Sequence, residues 1–397
     1  MGNGDNSHVY GYVAHGWESI RSAFKQNLVD GLDIGASLCI YYREECVIDL
    51  YGGWKDTQTK KEPYTSDTLQ LVFSTSKGIL AAAIALCVER DWLDYDARVS
   101  ECWPEFACNG KENITLCDLL AHRAGLPFID EQLTVEDTYN WSRMTSLLAT
   151  QKPHWTPGTA HGYHGHTIGY AGGELVRRAD PHHRTYGQFV RDELDSEFYV
   201  GIPNDEVEAR ISPVTRKQVD TSNARLIDSQ TEKSLSCSGA FPLGRSLMIF
   251  NGTRLHQAEM PSVNGITNAR SLARIYSLLI GDINENGKKQ KRLLSEKTLI
   301  EATKNITPTG EPDQNWYNMP TTFGKGGFQL YNDYFNVFGD GVFGHSGYGG
   351  SCAFAFPPHQ LAYAYVCNQL DPVAFTIDPR SVRVIQAIEN ILIGENK

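Results

Sequence analysis

The feature that most constrains the fold is a long apolar run, Ile79-Leu80-Ala81-Ala82-Ala83-Ile84-Ala85-Leu86-Cys87-Val88. A helix that is apolar on nearly every side has to be buried on every side, so the run predicts a central buried helix. The segment Phe73-Ser74-Thr75-Ser76-Lys77-Gly78 precedes it. Ser74 and Lys77 are three residues apart and so share one helix face. Any fold must therefore bring a serine and a lysine together where the buried helix begins.

This pair has a specific chemical potential. A serine hydroxyl is a weak nucleophile until a base removes its proton, and a lysine in a desolvated pocket can be that base. The N–H groups of the first helical turn add positive potential near the hydroxyl. A second S-x-x-K copy, Ser22-Ala23-Phe24-Lys25, lies in an amphipathic stretch, and we interpret it as coincidental with Lys25 on a solvated face.

Composition excludes several classes of protein. The chain has 397 residues, of which 41% are hydrophobic and 21% charged, as in ordinary globular domains. Its net charge of -11 disfavours nucleic acid or an anionic membrane as the main partner. There is no apolar run long enough to span a bilayer and no signal-peptide pattern. Nine cysteines, several inside apolar runs, favour a reducing compartment, so we expect a cytoplasmic protein.

The order of elements predicts an α+β fold. Strands are predicted at Gly35–Tyr42, 46–53, 354–356 and 361–368, and helices at 17–29, 114–124, 141–150, 169–178, 186–193 and 381–393. The polar stretch 221–238 predicts a surface loop. We expect one domain, residues 17–393, with an antiparallel sheet built from 17–95 and 255–393 and flanked by helices. Residues 96–254 would form an inserted, mainly helical region.

Two other segments carry candidate chemistry. His161, His164 and His166 are closely spaced, but no acidic or cysteine partner is near and we expect no metal site. Tyr163 lies between them at a loop-to-helix junction. Beside a lysine its phenol pKa can be lowered so that it relays protons; the alternative is a tyrosine that only packs there.

The second segment is Phe343-Gly344-His345-Ser346-Gly347-Tyr348, which precedes an apolar strand. It nearly matches the G-x-S-x-G elbow of α/β-hydrolases, but Tyr348 occupies the position of the second glycine, and the flanking strand and helix are not in the required order. We therefore reject Ser346 as a nucleophile. Its glycines permit a close backbone approach by another segment or a ligand.

In this order the motifs resemble those of the class C β-lactamase-related serine hydrolases, which include esterases, D-alanyl-D-alanine carboxypeptidases and animal β-lactamase-like proteins. The resemblance runs from about Gly16 to the C-terminus. It rests on five segments: Ser74-Thr75-Ser76-Lys77-Gly78, Ile114 to Pro127, Trp155-Thr156-Pro157-Gly158 leading to Tyr163, Asn264-Gly265 with Asn268 to Arg274, and Gly344-His345-Ser346-Gly347. Gly165 replaces an asparagine and His345 a lysine of the lactamases; both changes resemble the esterase-like branch.

The resemblance implies a β-lactamase/transpeptidase-like fold and hydrolysis of a small-molecule ester or amide through an acyl-serine. Ser74 would be the nucleophile, Lys77 its base and Tyr163 a proton relay. The third motif, His345-Ser346-Gly347, would line the substrate pocket, and the backbone N–H groups of Ser74 and Tyr348 would form the oxyanion hole. No metal or organic cofactor is needed. Two alternatives remain: a D-peptidase or β-lactamase, and a non-catalytic binding or assembly protein of this fold.

Overall fold

The computed structural model describes residues 8–218, 227–243, 246–331, 340–371 and 378–395. The strands are β1 Val9–Val13, β2 Gly35–Tyr42, β3 Glu45–Gly53, β4 Leu69–Leu71, β5 Ile211–Ser212, β6 Thr215–Arg216, β7 Ile266–Thr267, β8 Ile283–Glu285, β9 Lys288–Gln290, β10 Gln329–Leu330, β11 Phe343–Ser346, β12 Cys352–Phe356, β13 Leu361–Cys367 and β14 Gln369–Leu370. The α-helices are α1 Glu18–Val29, α2 Ser76–Glu89, α3 Val99–Cys102, α4 Leu116–Leu120, α5 Val135–Tyr139, α6 Trp141–Thr150, α7 Thr167–Ala179, α8 Tyr186–Glu193, α9 Asp205–Glu208, α10 Ser229–Leu235, α11 Leu247–Phe250, α12 Thr253–Gln257, α13 Ala269–Ile280, α14 Glu296–Thr303 and α15 Pro379–Glu395.

The main sheet joins the two ends of the chain. Its strand order is β10-β11-β12-β13-β2-β3-β8-β9, with β1 also paired to β3. The strands β13 and β2 run antiparallel along their whole length, from Leu361 opposite Tyr42 to Cys367 opposite Ala36. One described pairing in this sheet, β3 with β8, is parallel. The predicted sheet flanked by helices is confirmed; it is mixed rather than purely antiparallel, because of this one described pairing.

The residues of β13 show how the sheet packs. The large side chains of Leu361, Tyr363 and Tyr365 lie in the cluster shared with α1 and α15. Ala362 and Ala364 belong to the opposite cluster, on the side where α13 packs. Since successive side chains of a strand point to opposite faces, this alternation makes one aromatic face and one flat alanine face. The flat face lets α13 lie close to the sheet.

The predicted buried helix is α2. Every side chain from Ser76 to Cys87 is buried, and the helix packs against α7, α8 and α14. Gly78 also allows a close approach by α13, because a Cβ there would lie 1.9 Å from the Tyr276 hydroxyl of that helix. The helix thus fixes its first turn, which carries Lys77, relative to both the sheet and the helical layer.

Two predicted elements differ from the structure. The helix expected at 114–124 is the shorter α4, which ends before His122 because that residue has a positive φ of 61°. The loop expected at 221–238 contains α10, whose first turn is capped by the Asp228 carboxylate; residues 221–226 lie outside the described part. The division of the domain at 95/96 and 254/255 stays a prediction. Among the described helices, none combines the length and apolarity needed to cross a bilayer.

Candidate active site

The Ser74 turn joins a short strand to α2. Strand β4 is held between β5 and β7, and a 3-10 turn, Phe73–Thr75, follows it. Phe73 has a φ of 48°, a conformation that is costly for a bulky residue and persists only where packing enforces it. Its ring is held by Phe250, at 5.1 Å between ring centroids, and by Tyr348, at 5.6 Å. The turn leaves Ser74 partly exposed between buried neighbours.

The amine of Lys77 lies within hydrogen-bond distance of Ser74. Its Nζ lies 3.0 Å from Ser74 Oγ and 3.0 Å from the backbone oxygen of Ser262, and the side chain is buried. Burial lowers the pKa of Lys77 well below its ordinary value, because the ammonium loses its hydration. A neutral amine can donate to Ser262 and use its lone pair to accept the Ser74 proton. The lysine is therefore held in a form that can activate the serine.

Tyr163 lies beside this pair. Lys77 Nζ is 4.7 Å from the centre of its ring. Burial raises the pKa of Tyr163, and a hydrogen bond with Ser74 opposes only part of that rise. The expectation of a lowered phenol pKa is therefore wrong for this state. It assumed a charged lysine next to the ring, whereas burial favours the neutral amine at Lys77. Tyr163 remains a protonated phenol that can give a proton.

The third motif packs directly on the Ser74 turn. A Cβ at Gly347 would lie 2.2 Å from the backbone oxygen of Val72, so only glycine permits this approach. The N–H of Gly347 donates to the backbone oxygen of Ser351 at 2.6 Å, and the Thr75 hydroxyl donates to the same oxygen at 3.0 Å. These bonds bring Tyr348, on the other side of Gly347, next to the Ser74 turn.

His345 is a buried, neutral residue of strand β11. Its Nδ1 lies 2.7 Å from the backbone oxygen of Ser346, so Nδ1 carries the proton and donates it. Burial, with a smaller contribution from Lys77, lowers the pKa of His345 to about 3. Its ring centroid is 6.1 Å from that of Tyr163. Within the described residues Nε2 has no hydrogen-bond partner.

The two other serines of the sequence analysis lack this arrangement. Ser22 is exposed on α1, and its hydroxyl bonds to the backbone oxygen of Glu18. The Ser346 hydroxyl lies 3.2 Å from the hydroxyl of Tyr331, while His345 bonds to the backbone oxygen of Ser346 rather than to its hydroxyl. Neither serine is thus placed beside an amine as Ser74 is.

The three closely spaced histidines are engaged by protein groups. His161 lies between Glu311 and Thr321. His164 is bonded at both ring nitrogens by backbone groups, and His166 bonds to the backbone oxygen of Leu235. In the described ranges no group of three or more His, Cys, Asp or Glu side chains is arranged to hold a metal ion.

Several residues of the site were not predicted from the sequence. Ser262 holds Lys77, while Asp313 and Ser234 hold the backbone of Tyr163. Trp316 packs against its ring, at 5.5 Å between ring centroids. Asp313 and Trp316 lie about 150 residues from Tyr163 in a segment without a motif, so no spacing links them to it. The deep burial of an Asp is visible only once the fold is known.

The chain is similar to several known proteins. It matches the family described as Beta-lactamase over residues 24–387. It is 29% identical over 352 residues to the esterase/beta-lactamase LipL of Mycobacterium tuberculosis (strain ATCC 25618 / H37Rv), a match that covers 86% of this chain and 79% of that protein.

Solved structures give the same result. A family VIII carboxylesterase superimposes with a TM-score of 0.85 at 31% identity, covering 97% of this chain and all (100%) of that one. EstA from Arthrobacter nitroguajacolicus Rue61a has a TM-score of 0.84 at 28% identity, with 98% of this chain and 100% of that chain covered. A penicillin-binding protein homolog from Caulobacter crescentus has a TM-score of 0.84 at 30% identity, with 97% and 100% covered.

Proposed function

The chain belongs to the Beta-lactamase family, has the β-lactamase/transpeptidase-like fold and is a serine hydrolase of the esterase-like type; from this premise we propose that Ser74 is its nucleophile. The observation that carries the proposal is the 3.0 Å contact between Ser74 Oγ and the buried amine of Lys77. A serine within hydrogen-bond reach of a base that can take its proton is the basis of covalent catalysis by serine.

The reaction is acyl transfer to water. Ser74 Oγ attacks the carbonyl carbon of the ester while Lys77 accepts the hydroxyl proton. Tyr163, a protonated phenol, gives a proton to the departing alkoxide and regains one from Lys77, which leaves an acyl-serine. A water molecule then attacks the acyl carbon and passes a proton to the Lys77 amine. The bond between the acyl carbon and Ser74 Oγ breaks, and the Lys77 ammonium returns the proton to Ser74. Acid and alcohol are the products.

The charge that develops on the carbonyl oxygen needs hydrogen-bond donors. We assign this role to the backbone N–H groups of Ser74 and Tyr348; the close approach of Gly347 to the Val72 backbone oxygen and the ring contact between Tyr348 and Phe73 support the assignment. Removing one such donor costs about 2.7–4 kcal/mol of transition-state stabilisation in other hydrolases. His345 and Ser346 line the pocket beside them.

The substrate is a small-molecule ester or amide. Membership of the animal β-lactamase-like proteins rests on the motif resemblance alone. A cytoplasmic location is supported by nine cysteines that are all free thiols.

The assignment is tested by labelling the protein with a fluorophosphonate probe and mapping the modified peptide. We expect the adduct on Ser74, and we expect Ser74→Ala to abolish both labelling and hydrolysis of p-nitrophenyl butyrate. Ser22→Ala and Ser346→Ala are matched controls that keep the Ser74–Lys77 contact and should retain hydrolysis. An adduct on Ser346, or full activity of Ser74→Ala, would contradict the proposal.

A further inference from the structure

Tyr163 is held by its backbone from two sides. Its N–H donates to Asp313 Oδ1 at 2.8 Å, and its backbone oxygen accepts from Ser234 Oγ at 2.8 Å. The ring is covered by Trp316. Two separate segments, one with Ser234 and one with Asp313 and Trp316, thus fix the residue that lies over Lys77. A side chain whose own backbone is fixed in this way has little freedom to leave the serine.

Asp313 is the central acceptor of this arrangement. Its side chain is fully buried. Besides Tyr163, it accepts from the N–H of Asn315 at 3.0 Å and from the hydroxyl of Thr321 at 2.7 Å. Burial raises the pKa of Asp313, and these donors oppose the rise. A buried carboxylate that receives three donors is costly to leave unpaired, so its geometry is strongly fixed.

The network continues outward from Asp313 to an ion pair. Because the Thr321 hydroxyl donates to Asp313, its oxygen accepts from His161 Nε2 at 3.0 Å. His161 Nδ1 lies 2.7 Å from Glu311. Glu311 has a lowered pKa, since hydrogen bonds from Arg123 and His161 outweigh the effect of burial, so it is an acceptor here. The hydrogen bonds therefore run without a break from Asp313 through Thr321 and His161 to Glu311.

The ion pair anchors the network to the rest of the molecule. Arg123 lies 2.5 Å from Glu311 and also donates to the backbone oxygen of Gly158 at 2.6 Å. The segment from Glu311 to Thr321 is consequently tied at both ends to the loop that carries Tyr163. The hydrogen bond from this segment to Tyr163 is made to its backbone N–H and does not involve the phenol hydroxyl.

We propose that Asp313 is a positioning residue for Tyr163, anchored through Thr321 and His161 by the Glu311–Arg123 pair. This inference rests on the proposed function, since it assigns Asp313 to the proton relay of the same site. Asp313 does not touch the reacting atoms. It acts by fixing where the phenol lies relative to Ser74 and Lys77. A displacement of about 1 Å at such a group can lower the rate by about 100-fold.

Three variants of the full-length protein test the proposal. Asp313→Ala removes the acceptor for Tyr163, and we expect kcat for p-nitrophenyl butyrate to fall about 10- to 100-fold, with KM changed less than about twofold. Asp313→Asn keeps an oxygen for the two backbone donors and should restore most of kcat. Asn315→Ala is the matched control: its side chain is equally buried in the same segment but has no hydrogen-bond partner among the described residues, so kcat should stay near wild type.

Rates are expressed per active site, counted by fluorophosphonate labelling, so that a loss of folded protein does not imitate a loss of kcat. An unchanged kcat per site in Asp313→Ala would overturn the inference, as would an Asn315→Ala loss equal to that of Asp313→Ala. If Asp313→Ala does not fold, Thr321→Val serves instead and should lower kcat per site about tenfold; no change would again overturn the inference. Wild-type protein that neither hydrolyses the ester nor is labelled at Ser74 would instead refute the proposed function.

Discussion

A lysine can act as a base near neutral pH only where its surroundings disfavour its charge. Lys77 meets this condition through burial rather than through a neighbouring cation, since burial is the cause of its lowered pKa. The same burial keeps Tyr163 protonated. Burial in the same pocket thus shifts the two pKa values in opposite directions. It lowers that of Lys77, so that the amine can act as a base, and raises that of Tyr163, so that the phenol can act as an acid. In the proposed mechanism, this division of roles is the reason that the site needs both residues.

The pH dependence of kcat/KM should report the ionisation of Lys77. Activity requires the neutral amine, so kcat/KM should fall as the pH is lowered through the pKa of Lys77. Because that pKa is well below the ordinary lysine value, activity should persist at neutral pH. Lys77→Arg, whose guanidinium stays charged, should lose activity at every pH. The measurement is a pH–rate profile with a neutral ester.

The second S-x-x-K copy provides the control for that profile. Lys25 is exposed on α1, so Lys25→Arg should leave the profile unchanged. A wild-type profile whose acid limb lies near the ordinary lysine pKa, or activity in Lys77→Arg, would rule out a neutral Lys77 as the base.

At the scale of single residues, the sequence predicts a contact in the site only where the two residues are close together in the chain. The Ser74–Lys77 pair was predictable because the two residues are three apart in the chain, and the turn that leads from Ser74 into α2 keeps them on the same side. The partners of Tyr163 were not, because Asp313 and Ser234 reach it through tertiary contacts. The direction of the Tyr163 pKa was also missed, because it depends on the protonation of its neighbour.

Secondary-structure elements were predicted best where a hydrophobic pattern is continuous. The helix α6 and the strand β2 have the bounds expected from their patterns, and the apolar run became α2. Errors occurred where polar groups define an element. Asp228 starts α10 inside a stretch predicted as a loop, and His122 ends α4 early by adopting a positive φ. Cap and turn conformations of this kind depend on hydrogen bonds and tertiary contacts, which cannot be read from hydrophobic periodicity.

The contact between β11 and the Ser74 turn makes a prediction at this scale. Gly347→Ala places a Cβ 2.2 Å from the Val72 backbone oxygen, so β11 and the turn must move apart. We expect a loss of stability of about 1–3 kcal/mol, as for other overpacked sites. We also expect a lower kcat, because Tyr348 moves with Gly347. Thermal unfolding and ester hydrolysis measure the two effects.

Gly281 is the matched control for that substitution. It follows α13 in an extended conformation, and a Cβ there meets nothing within 4 Å. Gly281→Ala should therefore leave both unfolding and kcat near wild type. If Gly347→Ala behaved in the same way, the close approach of the third motif would not be required for the site.

For the whole molecule, the arrangement of charge around the site bears on which substrates it accepts. His345 stands where lactamases carry a lysine, and it is neutral. Two arginines could have replaced that cation, but both are already paired. Arg123 is bonded to Glu311, and Arg270 to Asp49. Neither of these two arginines is thus available to a substrate carboxylate beside the scissile bond, and desolvating a carboxylate without a paired cation costs several kcal/mol.

We therefore expect kcat/KM to be higher for a short-chain neutral ester than for a penicillin or a D-alanyl-D-alanine peptide. His345→Lys should shift that ratio toward the substrates that carry a carboxylate, because a cation then faces the carboxylate in a dry pocket where their attraction is strong. Arg270→Gln is the control, since it removes a cation that is already paired with Asp49 and should leave the ratio unchanged. If the carboxylate-bearing substrates were preferred by the wild type, the esterase-like specificity would be wrong. If Arg270→Gln changed the ratio, the arginine rather than residue 345 would set the preference for charge.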